Sequence, residues 1–381
     1  MNSATTNPLA QLDWDDVLDT LDNQKCVLFL GAGAYAAPGG GSIENALCQW
    51  LKAGQSDHPH IRMYNPDGFF LFRKSRFKRK VIADIGEFYS QPFPETEAQF
   101  ARIARTPFSM IFTLTPDNIL ARTFDSLGYD YQPDFYFHHR KAAEKFERPS
   151  KKKPLIYNLL GNIEEPESLL LTHTDFFDYL ESVFIGNSMN PELKDELERA
   201  ERYIFLGLPY EKWYFQLLLR VLSLHSDKLK EVERLALKEF ENPHLNELFA
   251  EEFKIQFYPG NTELFVNELF RHCEEKGLLK PLPTPGPAEA ALPDLSAAEL
   301  KNLAGEAETG RAMLHLKVML DRRKPRSHRL ANDLVVLRNQ FNLLRQRELR
   351  GTIDSRDLAV ENNQITERLL ELITQTETLK P

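Results

Sequence analysis

Cysteine is the scarcest chemistry in this chain, with three residues in 381. Cys26, Cys48 and Cys273 are odd in number and widely spaced, so one chain builds neither a disulfide framework nor a zinc cage from them. Buried, reduced thiols and no metal are expected. Basic charge is also in deficit: 47 Lys and Arg face 56 Asp and Glu, a formal charge of −9, which argues against general nucleic-acid affinity because that depends on a surplus of cations. No apolar run approaches the roughly eighteen residues that cross a bilayer. Residues 1–13 lack a basic stretch followed by an apolar core, so neither a membrane nor a secretory route is expected, and the location expected is cytoplasmic.

What is present is an ordinary globular composition, 42% hydrophobic and 27% charged, over a length that accommodates two separate cores. The division is legible in Lys280-Pro281-Leu282-Pro283-Thr284-Pro285-Gly286-Pro287. Prolines at alternate positions remove backbone donors and hold φ near the polyproline value, giving an extended spacer. The boundaries expected are a nucleotide-type α/β domain over 1–280, a Pro-rich linker over 281–294 and a helical domain over 295–381.

In the first part, apolar runs at 27–30, 110–114, 155–159, 203–206 and 253–258 alternate with helical patterns. Runs buried on both faces and joined by helical stretches imply a parallel, doubly wound, Rossmann-like sheet. Ligands of such sheets lie beyond the carboxyl ends of the strands, which nominates 31–35, 113–118, 160–162 and 207–210. The first of these is the most informative. Cys26-Val27-Leu28-Phe29-Leu30 ends abruptly in Gly31-Ala32-Gly33-Ala34-Tyr35, a turn whose missing side chains let backbone amides approach a phosphate at a helix N-terminus. The third glycine of the dinucleotide fingerprint is absent, and Gly-x-Gly turns also serve tight strand-to-helix packing. The phosphate reading requires that Tyr35 and its neighbours leave the cradle open.

Two basic stretches, 73–80 and 151–153, interrupt the acidic background. The first lies among Phe69, Phe70, Phe72 and Phe77, as in a nucleic-acid groove, but a solvated helix face beside a buried aromatic stripe explains it more simply. In the last part, Ser296 and Glu299 form a capping box, Leu316, Met319 and Leu320 mark a second helix, and Leu330, Leu334, Leu337, Phe341 and Leu344 a third that ends near Gly351. Leu358, Ile365, Leu369, Leu372 and Ile373 give a fourth, capped by Asp354 or Ser355, so a compact helical bundle follows. His315 and His328 have no acidic or cysteine partner at ligand spacing and are expected at the surface.

The order of the post-strand segments resembles the sirtuin-like family of bacterial antiviral defence. Phe29 to Ala34 resembles its glycine loop, Phe112-Thr113-Leu114-Thr115-Pro116-Asp117-Asn118 its Thr-Thr-Asn-x-Asp segment, and Tyr157-Asn158-Leu159-Leu160-Gly161 its Leu-His-Gly segment. Residues 162–168, 170–177 and Phe205-Leu206-Gly207-Leu208-Pro209 continue the series, which covers roughly 15–280. The resemblance implies NAD or another ADP-ribose-type nucleotide held by Gly31, Ala32, Gly33, Ala34, Tyr35, Thr115, Asp117, Gly161, Gly207 and Leu208.

Active members place an Asn and a His where this chain has Thr115 and Leu160. Threonine lacks the planar amide that engages ribose and nicotinamide together, and leucine moves no proton, a loss commonly worth a hundredfold or more. Pro209 also replaces a usual Ser. A catalytically degenerate nucleotide-binding protein is therefore expected. Two alternatives stand beside it: an NAD glycohydrolase working through Thr115, Asp117 and His138 or His139, and an adaptor with an empty cleft.

Asp117 reads more simply as a cap of the helix beginning near Asn118 than as a ribose partner, and Thr172 with Asp175 as a cap beside His173. Glu87 and Glu211 are carboxylates without an evident place. Lacking four cysteines, the chain cannot supply the zinc ribbon of sirtuin deacetylases. The bundle, through 350–357 and the helix after it, resembles the helical effector-associated domains of bacterial conflict proteins. That likeness implies a protein partner bound through 295–381, and family habit implies a homo-oligomer.

Overall fold

The computed structural model describes residues 9–37, 41–55, 57–137, 146–184, 190–221, 232–238, 240, 242–282, 295–305, 308–322 and 354–378, with single positions between 330 and 348. Contacts divide the chain into two compact units, one formed by residues up to 124 with 129–281, the other by 125–128 with the residues from 282 onward.

The first unit is built on a seven-stranded sheet. Its strands are β1 (Cys26–Leu30), β4 (Met110–Thr113), β5 (Gln132–Phe135), β6 (Leu155–Asn158), β7 (Arg202–Leu206), β8 (Glu233–Leu237) and β9 (Ile255–Tyr258), in the order β5-β6-β4-β1-β7-β8-β9. Every pairing is parallel. Helices flank the sheet, giving a Rossmann-like α/β domain. The three central strands are wholly buried because their apolar runs face helices on both sides. Phe29 stands opposite Phe112 and Phe205, and the rings pack with centroids 5.1 Å apart on each side. Strand order reverses around β1: the chain passes through β4 to the edge strand β5, comes back to β6 between them, then crosses to β7 on the other flank. Such a reversal opens a crevice at the carboxyl edge.

β5 and β8 lie outside the apolar runs read from sequence. β5 is an edge strand with a proline and an aspartate, where the missing N–H costs nothing. β8, Glu-Arg-Leu-Ala-Leu, is made of good helix formers, yet Leu235, Ala236 and Leu237 are buried between β7 and β9 and that burial overrides propensity. A hairpin of β2 (Ile61–Tyr64) and β3 (Phe70–Phe72) is a separate small sheet. The basic stretch 73–80 is not one helix face: it follows β3, passes through a 3-10 turn (Ser75–Phe77) and opens the helix Lys78–Ser90. Its cations are solvated or paired, as Lys78 is with Asp175 at 2.7 Å and Arg79 with Glu167 at 3.5 Å.

The second unit is helical, with helices at Ala297–Gly305, Thr309–Arg322 and Ser355–Thr378. The expected capping box is formed: the Ser296 amide donates to Glu299 Oε2 at 2.7 Å and the Glu299 amide to Ser296 Oγ at 3.3 Å. Leu300, Leu316, Leu320, Leu334, Leu337, Leu369 and Ile373 share one core. His315 departs from expectation. It is buried, with Nδ1 lacking a hydrogen-bond partner, because it lies on the face shared by Ala312, Leu316 and Met319. His328, Gly351 and the linker from 283 to 294 lie outside the described residues.

Candidate functional site

Parallel strands deliver the segments after β1, β4, β6 and β7 to one edge, and the ladder continues past the strand ends. The Gly31 amide donates to Leu206 O at 2.9 Å, Leu114 to Leu30 O at 2.8 Å and Leu159 to Thr113 O at 2.8 Å. The side chains that follow meet in a buried polar cluster. Tyr35 Oη lies 2.6 Å from Thr115 Oγ1 and donates to Asp117 Oδ2 at 2.7 Å. Asp117 Oδ1 accepts the Ile119 amide at 2.9 Å, capping the helix Ile119–Leu127 as the cap reading expects, while its other oxygen takes the Tyr35 hydroxyl.

Asn158, the last residue of β6, fixes the backbone of this cluster by donating from Nδ2 to Thr115 O at 2.9 Å and Asp117 O at 3.1 Å. Asn162 Nδ2 donates to Asn158 Oδ1 at 3.3 Å, and Asn118 Nδ2 to Glu164 Oε1 at 2.9 Å. Arg122, one turn along the helix, is buried among Asp117, Glu97 and Glu164, and its Nη2 has no hydrogen-bond partner.

Burial dominates the electrostatics. It pushes the Asp117 and Glu164 carboxyls above their ordinary range against the hydrogen bonds that favour their charged forms. It lowers Arg122 and, together with the neighbouring Asp117, raises the Tyr35 phenol. Tyr35 is therefore a neutral donor. Its single proton goes to Asp117, so the Thr115 hydroxyl donates to Tyr35.

The glycine loop differs from the open cradle expected of it. The residues after β1 form a three-residue 3-10 turn (Ala32–Ala34), not the start of a long helix. Four of its amides are spent within the protein: Gly31 on Leu206 O, Gly33 on Gly207 O at 2.9 Å, Ala34 on Gly31 O at 3.0 Å and Tyr35 on Ala32 O at 3.2 Å. A Cβ on Gly31 would stand 2.3 Å from Gly207 O, and one on Gly207, whose φ is +65°, 2.1 Å from Ala34 N. The glycines here let two backbones touch. In this conformation most of the amides assigned to a pyrophosphate are spent on the protein's own carbonyls, and Tyr35 fills the space beside Thr115 and Asp117.

Of the other expected site residues, Gly161 takes φ +90° beside Ser168, and Leu208 is buried in the core. Leu160 is half-buried and packs on that same core, so its position offers no proton-transfer group. His173 belongs elsewhere: the Thr172–Asp175 cap is formed, and His173 Nε2 pairs with Asp67 at 2.7 Å. Glu211 pairs with Lys238 at 2.6 Å, and Glu87 is exposed. His138 and His139 lie outside the described residues.

Asn162 fell within the nominated 160–162, whereas Asn158, Glu164 and Arg122 were not singled out as site residues from sequence. The one available signal was Asn158, a polar residue closing an otherwise apolar run. Among the described residues no three metal-binding side chains converge, and no helix is long and apolar enough to cross a membrane.

Fold and edge together define a Rossmann-like α/β domain with polar groups gathered at its switch point. Residues 109–258 match the SIR2-like domain, and residues 296–377 match Effector-associated domain 11. The chain thus carries a SIR2-like domain within its α/β part and an effector-associated domain in its helical part. No curated protein matches the chain.

Proposed function

We propose that this is a defence-type effector whose SIR2-like domain binds NAD or an ADP-ribose-type nucleotide without hydrolysing it, and whose C-terminal helical domain engages a protein partner. The observation that carries the reading is the meeting of the segments after β1 and β4 at Tyr35, Thr115 and Asp117, braced by Asn158 of β6, in a domain of SIR2-like sequence. Loss of hydrolysis follows from Leu160, an alkyl side chain seated on the apolar core where active relatives have an imidazole. Self-association and a cytoplasmic location belong to the same reading. Calorimetry with ADP-ribose and NAD, paired with a fluorogenic NAD analogue, tests it. Binding without turnover is the expected pair of results, and turnover well above a no-protein control contradicts it.

A second reading, an NAD glycohydrolase, is favoured by the burial of Asp117, which holds its carboxyl above the ordinary carboxylate range, as general acids and bases are often held. Turnover abolished by Asp117→Asn would establish this alternative.

A further inference from the structure

We infer that Tyr35 is an intramolecular latch on the carboxyl edge, and that a nucleotide is admitted only when its phenol withdraws. The inference rests on the nucleotide reading above and adds the regulation of that site.

Tyr35 is 5% exposed, and its ring meets Phe100 edge-on with centroids 5.1 Å apart. Its hydroxyl engages both polar side chains assigned to the ligand, at 2.6 Å from Thr115 Oγ1 and 2.7 Å from Asp117 Oδ2. The only proton of Thr115 is directed at Tyr35. One Asp117 oxygen receives the phenol proton, and the other is held by the Ile119 amide. While Tyr35 is in place Thr115 has no proton to give a ribose hydroxyl, and the phenol occupies the side of Asp117 Oδ2 from which a ribose hydroxyl would donate.

The backbone around the phenol is pinned from the helix Pro94–Arg105. Gln99 Nε2 donates to Ala34 O at 2.7 Å, while Thr96 Oγ1 accepts the Ala36 amide at 3.0 Å and donates to Ala36 O at 3.1 Å. With the amides of Gly31, Gly33, Ala34 and Tyr35 also bonded internally, the loop and its side chain form one closed arrangement. A ribose hydroxyl offers Asp117 the donor that Tyr35 supplies, so a nucleotide exchanges one hydroxyl for another and must overcome the burial of the ring. Its apparent affinity is then reduced by the fraction of molecules that are open.

The test is calorimetry of ADP-ribose binding to the full chain as wild type, Tyr35→Phe and Tyr35→Ala, each shown by circular dichroism and a cooperative melt to be folded. Tyr35→Phe removes both hydrogen bonds and keeps the ring. If the latch holds about one molecule in a hundred open, its removal tightens ADP-ribose binding by up to about a hundredfold, and a gain of tenfold or more is expected for both variants. Thr96→Val, which releases the tether at Ala36 without touching the site, provides an independent route and is expected to tighten binding severalfold. Equal or weaker binding by Tyr35→Phe and Thr96→Val overturns the latch and leaves the nucleotide reading standing. Absence of binding in every folded variant overturns the nucleotide reading and the latch with it.

Discussion

The parallel sheet ends differently at its two edges. At the carboxyl edge the chain buries Thr115, Asp117, Asn158 and Asn162 in mutual hydrogen bonds, and Tyr35 closes the cluster. At the amino edge it leaves a hollow of ≈ 500 Å³ lined by Asn23, Gln24, Lys25, Ser109, Arg148 and Glu196 among others. The charges there are mostly solvated, with Lys151 bonded to Asp22 at 2.7 Å and Arg148 to Glu196 at 3.1 Å. The hollow at the amino edge is thus lined by solvated charges, whereas the buried polar cluster lies at the carboxyl edge. Strand direction explains the difference: the loops after parallel strands carry the polar residues to the carboxyl edge.

The largest effects should come from the backbone contact that holds the carboxyl edge shut. Gly207→Ala adds a Cβ 2.1 Å from Ala34 N at a φ of +65°, so strain and clash together should lower the unfolding free energy by about 3–5 kcal/mol in a urea titration. Asp117→Ala removes a helix cap and leaves the Tyr35 hydroxyl and the Arg122 guanidinium without their carboxylate, for a loss of about 2–4 kcal/mol.

The Asp117 carboxyl also sets a direction with pH. Its folded pKa lies above the ordinary value of 3.8, so over the interval between the two the folded chain holds a proton that the unfolded chain has lost. Its contribution therefore grows as pH falls from neutral through the folded pKa and stops growing near 3.8. Denaturant titrations of wild type and Asp117→Asn at a series of pH values should show the wild type gaining relative to the variant on acidification; the opposite slope contradicts the burial of this group.

Tyr35→Phe separates stability from affinity. It should cost about 1–2 kcal/mol of stability, because a buried acceptor loses its donor, while tightening ADP-ribose binding. Arg148→Ala at the amino edge should change stability by less than about 1 kcal/mol, and that difference should shrink in high salt.

Much of the frame was legible in the sequence because its signals are local. The apolar runs that became β1, β4, β6, β7 and β9, the Ser296–Glu299 box and the Thr172–Asp175 cap each depend on residues a few positions apart. β8 was not legible, since its helix-forming residues become a strand only between β7 and β9. Nor was the role of the glycines. Gly31 and Gly33 read as a place for an anion, but their real neighbour is Gly207, a residue far along the chain that no local pattern pairs with them. Tyr35 followed the same logic: an aromatic after a glycine turn gave no sign that its hydroxyl would find Thr115 and Asp117. Arg122 was invisible for a related reason, being one basic residue on a helix until burial left its Nη2 unpaired.

Amide hydrogen exchange read by mass spectrometry, with and without ADP-ribose, compares the two edges in a single experiment. The account predicts that ADP-ribose changes exchange in residues 31–37, 113–122, 158–168 and 206–210 at the carboxyl edge and leaves residues 23–25 and 148–151 at the amino edge unchanged. A response confined to the amino edge, or none at either edge in the presence of saturating ADP-ribose, would contradict it.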